Sequence, residues 1–221
     1  MLSGGLDSAT TLYVAKHQGY KVTCLLFDYG QRHRRELSSA RAIAGKARVT
    51  YTVVKLSLPK QGSSLLDRKV GLPKISAAVR KGLKKRNNIP STYVPARNLI
   101  FLSMACSLAE TTGAQAIFIG ANAIDYSGYP DCRGQFYRSF RKVIACGTKL
   151  GLQGRPIKIL TPLISKSKKE IIRLGTKLGV PYQLTWSCYR GANTPCGVCE
   201  SCFLRARGFR QAGLRDPLIN K

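Results

Sequence analysis

The chain has 221 residues, 44% of them hydrophobic, which is enough for one fully cored domain with room for a small annex. Thirty-seven Lys and Arg against ten Asp and Glu give a formal charge of +27, a field that draws nucleotides, acidic metabolites, nucleic acid or anionic surfaces. No apolar run approaches the roughly 18 residues of a membrane span, and no charged-then-apolar leader opens the chain. Membrane, secreted and disordered classes are therefore set aside, and a cytoplasmic protein is expected.

In chain order, the pattern predicts a helix over 8–18, a strand over 21–28 with a continuous apolar run, and an amphipathic helix over 36–48. A β-branched strand follows over 49–55. An apolar helix covers 98–112, a buried strand 115–120, a helix 135–150, a short strand 157–160 and a helix 167–178 capped by Ser167 or Ser165. Strands separated by helices imply a parallel sheet covered on both faces. Residues 57–90 interrupt this order as an irregular insert. Its span from Arg68 to Arg86 carries eight basic residues and no acid. It reads as a solvated loop or as a lid or polyanion contact.

The opening Met1-Leu2-Ser3-Gly4-Gly5-Leu6-Asp7-Ser8 runs straight into a helix. The glycines permit a tight turn with exposed amides, the serines add donors, and the helix start adds a positive dipole end, which together make a phosphate cradle. Asp7 would repel a bare phosphate but fits if Mg²⁺ lies between them. The string SGGLDS before a helix resembles the loop of the N-type ATP pyrophosphatases (the PP-loop superfamily). That resemblance implies ATP contacts from Leu2, Ser3, Gly4, Gly5, Leu6, Asp7, Ser8, Ala9, Thr10, Thr11 and Leu12. In that fold a complete strand leads into the loop, whereas here only Met1 and Leu2 precede Ser3. A version with about six extra apolar residues ahead of the loop is accordingly expected to be more stable. Lys168, in Pro162-Leu163-Ile164-Ser165-Lys166-Ser167-Lys168-Lys169-Glu170, matches the lysine spacing of such enzymes and would hold the departing phosphates, with Lys166 as the substitute.

Three further strings carry polar groups at element ends. Asp28-Tyr29-Gly30-Gln31-Arg32-His33 follows a strand, at the carboxyl edge where open α/β sheets bind ligands. Asp28, Arg32 and His33 are nucleotide-side candidates, His33 as charge partner or proton carrier. Pro90-Ser91-Thr92-Tyr93-Val94-Pro95-Ala96-Arg97-Asn98 brings Arg97 to a helix start, suited to bidentate contact with an anion. In Asp125-Tyr126-Ser127-Gly128-Tyr129-Pro130-Asp131-Cys132-Arg133, Tyr126 and Tyr129 can stack on a flat heterocycle. Asp125 or Asp131 can accept from an amidine edge, and Arg133 can pair a carboxylate. Cys132 is a pocket residue.

Taken in order, SGGLDS, FDYGQRHRRE, PSTYVPARN, DYSGYPDCR and the C-terminal cysteines resemble the 7-cyano-7-deazaguanine synthase family over nearly the whole chain. The resemblance implies an adenine nucleotide alpha hydrolase-like, Rossmann-like parallel sheet over residues 1–185, with a zinc-binding tail over 186–221. It implies conversion of 7-carboxy-7-deazaguanine and ammonia to a nitrile through an adenylated carboxylate and an amide, feeding queuosine or related deazapurine synthesis. Asp7, Lys168 and Arg97 would be the catalytic set, and a homodimer is expected. Cys188, Cys196, Cys199 and Cys202 suit tetrahedral Zn²⁺ in a reducing compartment, an iron–sulfur cluster being the rival. Two other readings use the same strings: a tRNA-modifying ATP pyrophosphatase, and an inactive, basic, zinc-stabilised nucleic-acid-binding module. The +27 charge exceeds what one ATP and one carboxylate need, which points to non-specific nucleic-acid adhesion through 68–86.

Overall fold

The computed structural model describes residues 1–32, 34–73, 89–124 and 128–219. His33, Asp125 and Tyr126, and most of the basic run after Arg68, lie outside the described residues.

Helix α1 (Leu6–His17) leads to β1 (Thr23–Asp28), α2 (Arg35–Lys46) and β2 (Thr50–Lys55). Helix α3 (Arg97–Thr112), β3 (Ala116–Phe118), α4 (Gly134–Gly147), α5 (Lys149–Leu152) and β4 (Lys158–Leu160) follow. The described chain then forms α6 (Lys168–Lys177) and α7 (Glu200–Ala212). β1 and β2 pair in parallel from Thr23 opposite Thr50 to Asp28 opposite Lys55. β3 and β4 pair in parallel from Ala116 opposite Lys158 to Phe118 opposite Leu160.

Residues 1–2 lie between the two pairs. The Leu2 amide donates to the Leu25 carbonyl at 2.9 Å, and the Met1 nitrogen donates to the Phe118 carbonyl at 2.8 Å. The spatial order is therefore β2, β1, residues 1–2, β3, β4, and the loop at Ser3 leaves from the middle of this array.

Strand period explains the two cores. Successive side chains of β1 point to opposite faces. Leu25 and Phe27 pack with Phe101, Leu102, Tyr137 and Phe140 of α3 and α4. Cys24 and Leu26 pack with Leu6, Ala9, Ile43, Ile171 and Phe209 of α1, α2, α6 and α7. An apolar strand that lacks alternation thus reflects burial on both faces, as expected for parallel α/β architecture. A third cluster joins Trp186, Tyr189 and Cys188, Cys199 and Cys202 in the tail.

Two boundaries carry physical reasons. The helix expected over 135–150 is two helices, because Thr148 is extended (φ −127°, ψ 156°) and its hydroxyl accepts from the Gly151 amide at 3.0 Å. A residue that caps a new helix cannot continue the old one. Ser167, rather than Ser165, caps α6, in a reciprocal capping box with Glu170.

Candidate active site

Ser3 to Ser8 form a turn whose shape depends on contacts with other elements. Gly4 has φ +85°, and a Cβ there would stand 2.2 Å from the Glu36 carbonyl oxygen of α2. Only glycine meets both demands. Gly120, just past β3, also presses on Ser8, with a would-be Cβ 2.9 Å from the Ser8 nitrogen. Within the turn, the Ser3 hydroxyl donates to the Ser8 hydroxyl at 3.0 Å, which donates to the Gly5 carbonyl at 3.0 Å. Gly5 is the N-cap of α1 and supplies no side-chain cap, and its own amide donates to the Ser3 hydroxyl at 3.4 Å.

The turn opens on a cavity of about 250 Å³. Of the residues expected to meet nucleotide or substrate, Leu2, Ser3, Gly5, Leu6, Asp7, Ser8, Arg32, Arg97, Tyr129 and Lys168 line it together. The Lys168 ammonium sits 2.8 Å from both carboxylate oxygens of Asp7, and Lys168 is 8% exposed. This pair joins α6 to α1, elements 161 residues apart.

Other expected residues stand elsewhere. Ala9 and Leu12 belong to the core on the far side of α1. Thr10 and Thr11 turn their hydroxyls back to the Leu6 and Asp7 carbonyls of their own helix, at 2.9 and 3.0 Å. Gly4 shapes the turn from behind. Asp28 ends β1, its carbonyl accepting from the Leu56 amide at 2.9 Å. Arg133 is an exposed residue at the start of α4.

Asp131 is buried behind the cavity wall. Its Oδ2 accepts from the Asn98 amide at 3.1 Å, and its carbonyl accepts from Asn98 Nδ2 at 3.1 Å and the Tyr137 hydroxyl at 3.0 Å. This matters because Ala96, the N-cap of α3, is left-handed (φ 54°) and provides no side-chain cap. A carboxylate from a distant turn thus serves the exposed amide end of α3 and fixes the segment carrying Arg97.

Electrostatics set the cavity apart from the surface. Burial disfavours the Arg97 charge, but Tyr29, Cys132, Asp131 and Tyr129 around it outweigh that and raise its pKa above the ordinary value. Burial pushes the Glu36 carboxyl up to about 7, with Arg97 pulling against it. Burial, reinforced by Asp131, pushes the Cys132 thiol up to about 12, which favours the protonated form. Tyr129 is raised by burial, and its hydroxyl is hydrogen-bonded to the Thr92 hydroxyl.

Several lining residues carried no role in the sequence reading: Glu36, Tyr29, Trp186, Tyr189 and Arg205. Glu36 and Tyr29 stand in the FDYGQRHRRE string, so its polar composition was the available signal. The others come from the tail. There Arg205 is buried and pairs with Asp216, Nε to Oδ2 at 2.6 Å and Nη2 to Oδ1 at 2.8 Å, while Nη1 donates to the Thr185 hydroxyl at 2.7 Å.

Nearby, the sulfurs of Cys188, Cys196, Cys199 and Cys202 all lie within 4.8 Å of one another. The Arg190 and Cys196 amides point at the Cys188 sulfur, at 3.4 and 3.3 Å. Amide donors directed at a thiolate belong to a metal knuckle, and the cluster can hold a metal ion. Among the described residues, no helix is long and apolar enough to cross a membrane.

Comparison with known proteins places the chain among named relatives over nearly its whole length. The profile of the queuosine biosynthesis protein QueC family matches residues 1–213. A 7-cyano-7-deazaguanine synthase of Nostoc punctiforme is 50% identical over 222 residues, covering 99% of this chain and 97% of the relative. Another 7-cyano-7-deazaguanine synthase, from Acetivibrio thermocellus, is 51% identical over 219 residues, covering 99% and 95%. Among solved structures, an NMN synthetase from Francisella tularensis aligns with a TM-score of 0.46 at 15% identity, over 97% of this chain and 85% of that one, too loose a likeness to bear on function. With a match of this length and identity, the chain belongs to the queuosine biosynthesis protein QueC family.

Proposed function

We propose that this protein is a 7-cyano-7-deazaguanine synthase, an ATP-dependent ligase that converts 7-carboxy-7-deazaguanine and ammonia to the nitrile. The observation that carries the reading is that one cavity holds the α1 start, the Asp7–Lys168 pair and Arg97. Those are the parts needed to grip a triphosphate and an organic carboxylate side by side.

A carboxylate is a poor electrophile, so its oxygen first attacks the α-phosphorus of ATP and pyrophosphate leaves. The α1 amides face the phosphates, and Arg97 neutralises the carboxylate as it approaches. The Asp7–Lys168 pair opens on binding: Lys168 turns to the departing phosphates and Asp7 becomes free to hold Mg²⁺. That ion, when bound, offsets phosphate charge. Ammonia then attacks the activated carbonyl. The bond from that carbon to the α-phosphate oxygen breaks and AMP leaves, and the Glu36 carboxylate, poised near neutrality, accepts the proton that the nitrogen loses. A second activation, on the amide oxygen, and its elimination give the nitrile. Tyr129, with Tyr126 and Asp125, is assigned to the deazapurine side, and Arg32 and His33 to the nucleotide side, whereas Asp28 and Arg133 stand away from the cavity and receive no role. The Asp131 carboxylate contributes through the α3 segment that carries Arg97.

The four thiols fit tetrahedral Zn²⁺ in donor type and number. A four-thiolate set leaves no open position, so the ion is structural. The same reading includes a zinc-bound tail over 186–221, a homodimer and a salt-sensitive contact of the basic insert with nucleic acid.

The test is incubation with ATP, Mg²⁺, ammonia and 7-carboxy-7-deazaguanine, followed by mass spectrometry. The amide and then the nitrile mass are expected. Lys168→Met is expected to lower the rate by about 10²–10³-fold, the scale of one lost charge stabiliser. Unchanged acid after complete ATP turnover would reject the assignment.

A further inference from the structure

Arg32 lines two concavities. One is the cavity above. The other is an open groove of about 730 Å³ lined by Arg32, Arg68, Gly71, Leu72, Arg190 and Ala192. Its three guanidinium groups come from three separate parts of the chain, and no acid is among its lining residues. Asp67, adjacent to Arg68, turns its Oδ1 to the Lys69 amide at 2.9 Å.

Arg32 is held in place from one edge. Its Nη2 donates to the Asp67 carbonyl at 3.0 Å and the Val70 carbonyl at 2.8 Å. Its Nε is buried and has no hydrogen-bond partner among the described residues. A buried donor on a charged group is costly to leave unmet. The guanidinium is thus oriented in advance by these carbonyls, its Nε being enclosed rather than open to the groove, and the exposed Arg68 and Arg190 complete the lining. Planar, fixed donors of this kind match phosphate oxygens.

We propose that this groove is a second anion site, separate from the nucleotide loop, that receives the inorganic pyrophosphate released when the substrate carboxylate is activated. The proposal rests on the ATP-dependent reading above. In that step the carboxylate oxygen forms a bond to the α-phosphorus. The bond from the α-phosphorus to the bridging oxygen breaks, and pyrophosphate departs with the electron pair. Because Arg32 belongs to both walls, the anion moves to the groove while remaining beside a cation. Once ammonia has displaced AMP from the activated carbonyl and AMP has left, the loop is free of both products and can take the second ATP that nitrile formation consumes.

Calorimetric titration of the full-length, metal-loaded protein with magnesium pyrophosphate tests this, with a non-hydrolysable ATP analogue filling the loop. Arg68→Ala and Arg190→Ala alter exposed side chains. Each is expected to weaken pyrophosphate binding by about five- to tenfold, the scale of one charge-assisted contact, and to change analogue affinity by less than about twofold. Absence of pyrophosphate binding to the loaded wild type, or wild-type affinity in both variants, overturns the proposal. So does a short single-stranded RNA that displaces pyrophosphate at lower concentration, since the groove would then be a nucleic-acid surface. Nitrile synthesis measured in parallel separates the two readings. Lost synthesis with intact pyrophosphate binding strikes the substrate assignment, and intact synthesis without that binding strikes the groove.

Discussion

The opening turn and the cysteine tail each hold polar atoms with a largely buried ion pair, and they differ in what surrounds it. The turn has a long-range ion pair, Asp7 with Lys168, and the Ser3–Ser8 hydroxyl contact. Its backbone is shaped by close approach, with Gly4 against the Glu36 carbonyl and Ser8 against Gly120. The tail has a small apolar cluster around Trp186 and Tyr189. It relies on side-chain bonds, the four thiols and the buried Arg205–Asp216 pair. The two meet where the Trp186 amide donates to the Gly4 carbonyl at 2.9 Å. Steric fit fixes the turn from behind, while the Ser3 and Ser8 hydroxyls tie amides within it, Ser3 N to Ser8 Oγ at 3.2 Å and Gly5 N to Ser3 Oγ at 3.4 Å. A segment too short to bury its own core needs covalent-strength or charged anchors.

Metal removal is the strongest way to break this comparison. Structural sites of this type contribute on the order of 10 kcal/mol of binding free energy. Trp186 is the only tryptophan in the chain, so its emission reports the tail. Chelation at neutral pH is expected to shift that emission to the red and to reduce thermal stability. Unchanged emission and melting after verified metal loss would show that the thiols are not the anchor.

Asp216→Ala comes next. It leaves the buried Arg205 guanidinium without its carboxylate, and a loss of about 3–5 kcal/mol in urea unfolding is expected. A loss below 1 kcal/mol would mean the tail does not depend on this pair.

Gly4→Ala attacks the turn. The methyl would collide with the Glu36 carbonyl, and φ +85° is unfavourable for alanine. A loss of about 2–4 kcal/mol, with nucleotide affinity reduced in equilibrium titration, is expected. Wild-type nucleotide affinity would show that the turn can deform freely.

The smallest effect is expected from Glu36→Gln. Folding raises the Glu36 pKa from the ordinary carboxylate range to about 7. Between those values the folded state retains a proton that the unfolded chain has lost. The Glu36 contribution to stability therefore falls as pH rises through that window. Urea midpoints at pH 5 and pH 8 should differ less in the glutamine variant than in the wild type. Equal differences would remove Glu36 as the titrating group.

Much of this molecule was legible in one dimension because its signals are local. SGGLDS before a helix, the apolar run of β1, the Ser167-x-x-Glu170 box and the closely spaced Cys196, Cys199 and Cys202 each announce themselves within a few residues. The opposite holds for the devices that finish the site. Asp131 stands 33 residues from the Asn98 amide it accepts from, and Lys168 stands 161 residues from Asp7. Ala9 and Leu12 show the same limit from the other direction. They follow the loop in sequence, yet the turn of α1 carries them into the core.

Residue order was therefore sufficient for most of the elements and for the clustering of the four cysteines, since each depends on backbone preference or donor chemistry over a short span. Which charges face each other, which carboxylate caps α3 and which arginine is shared by cavity and groove were settled by packing. Those pairings depend on distances between elements that only a folded sheet with covered faces brings within hydrogen-bond reach.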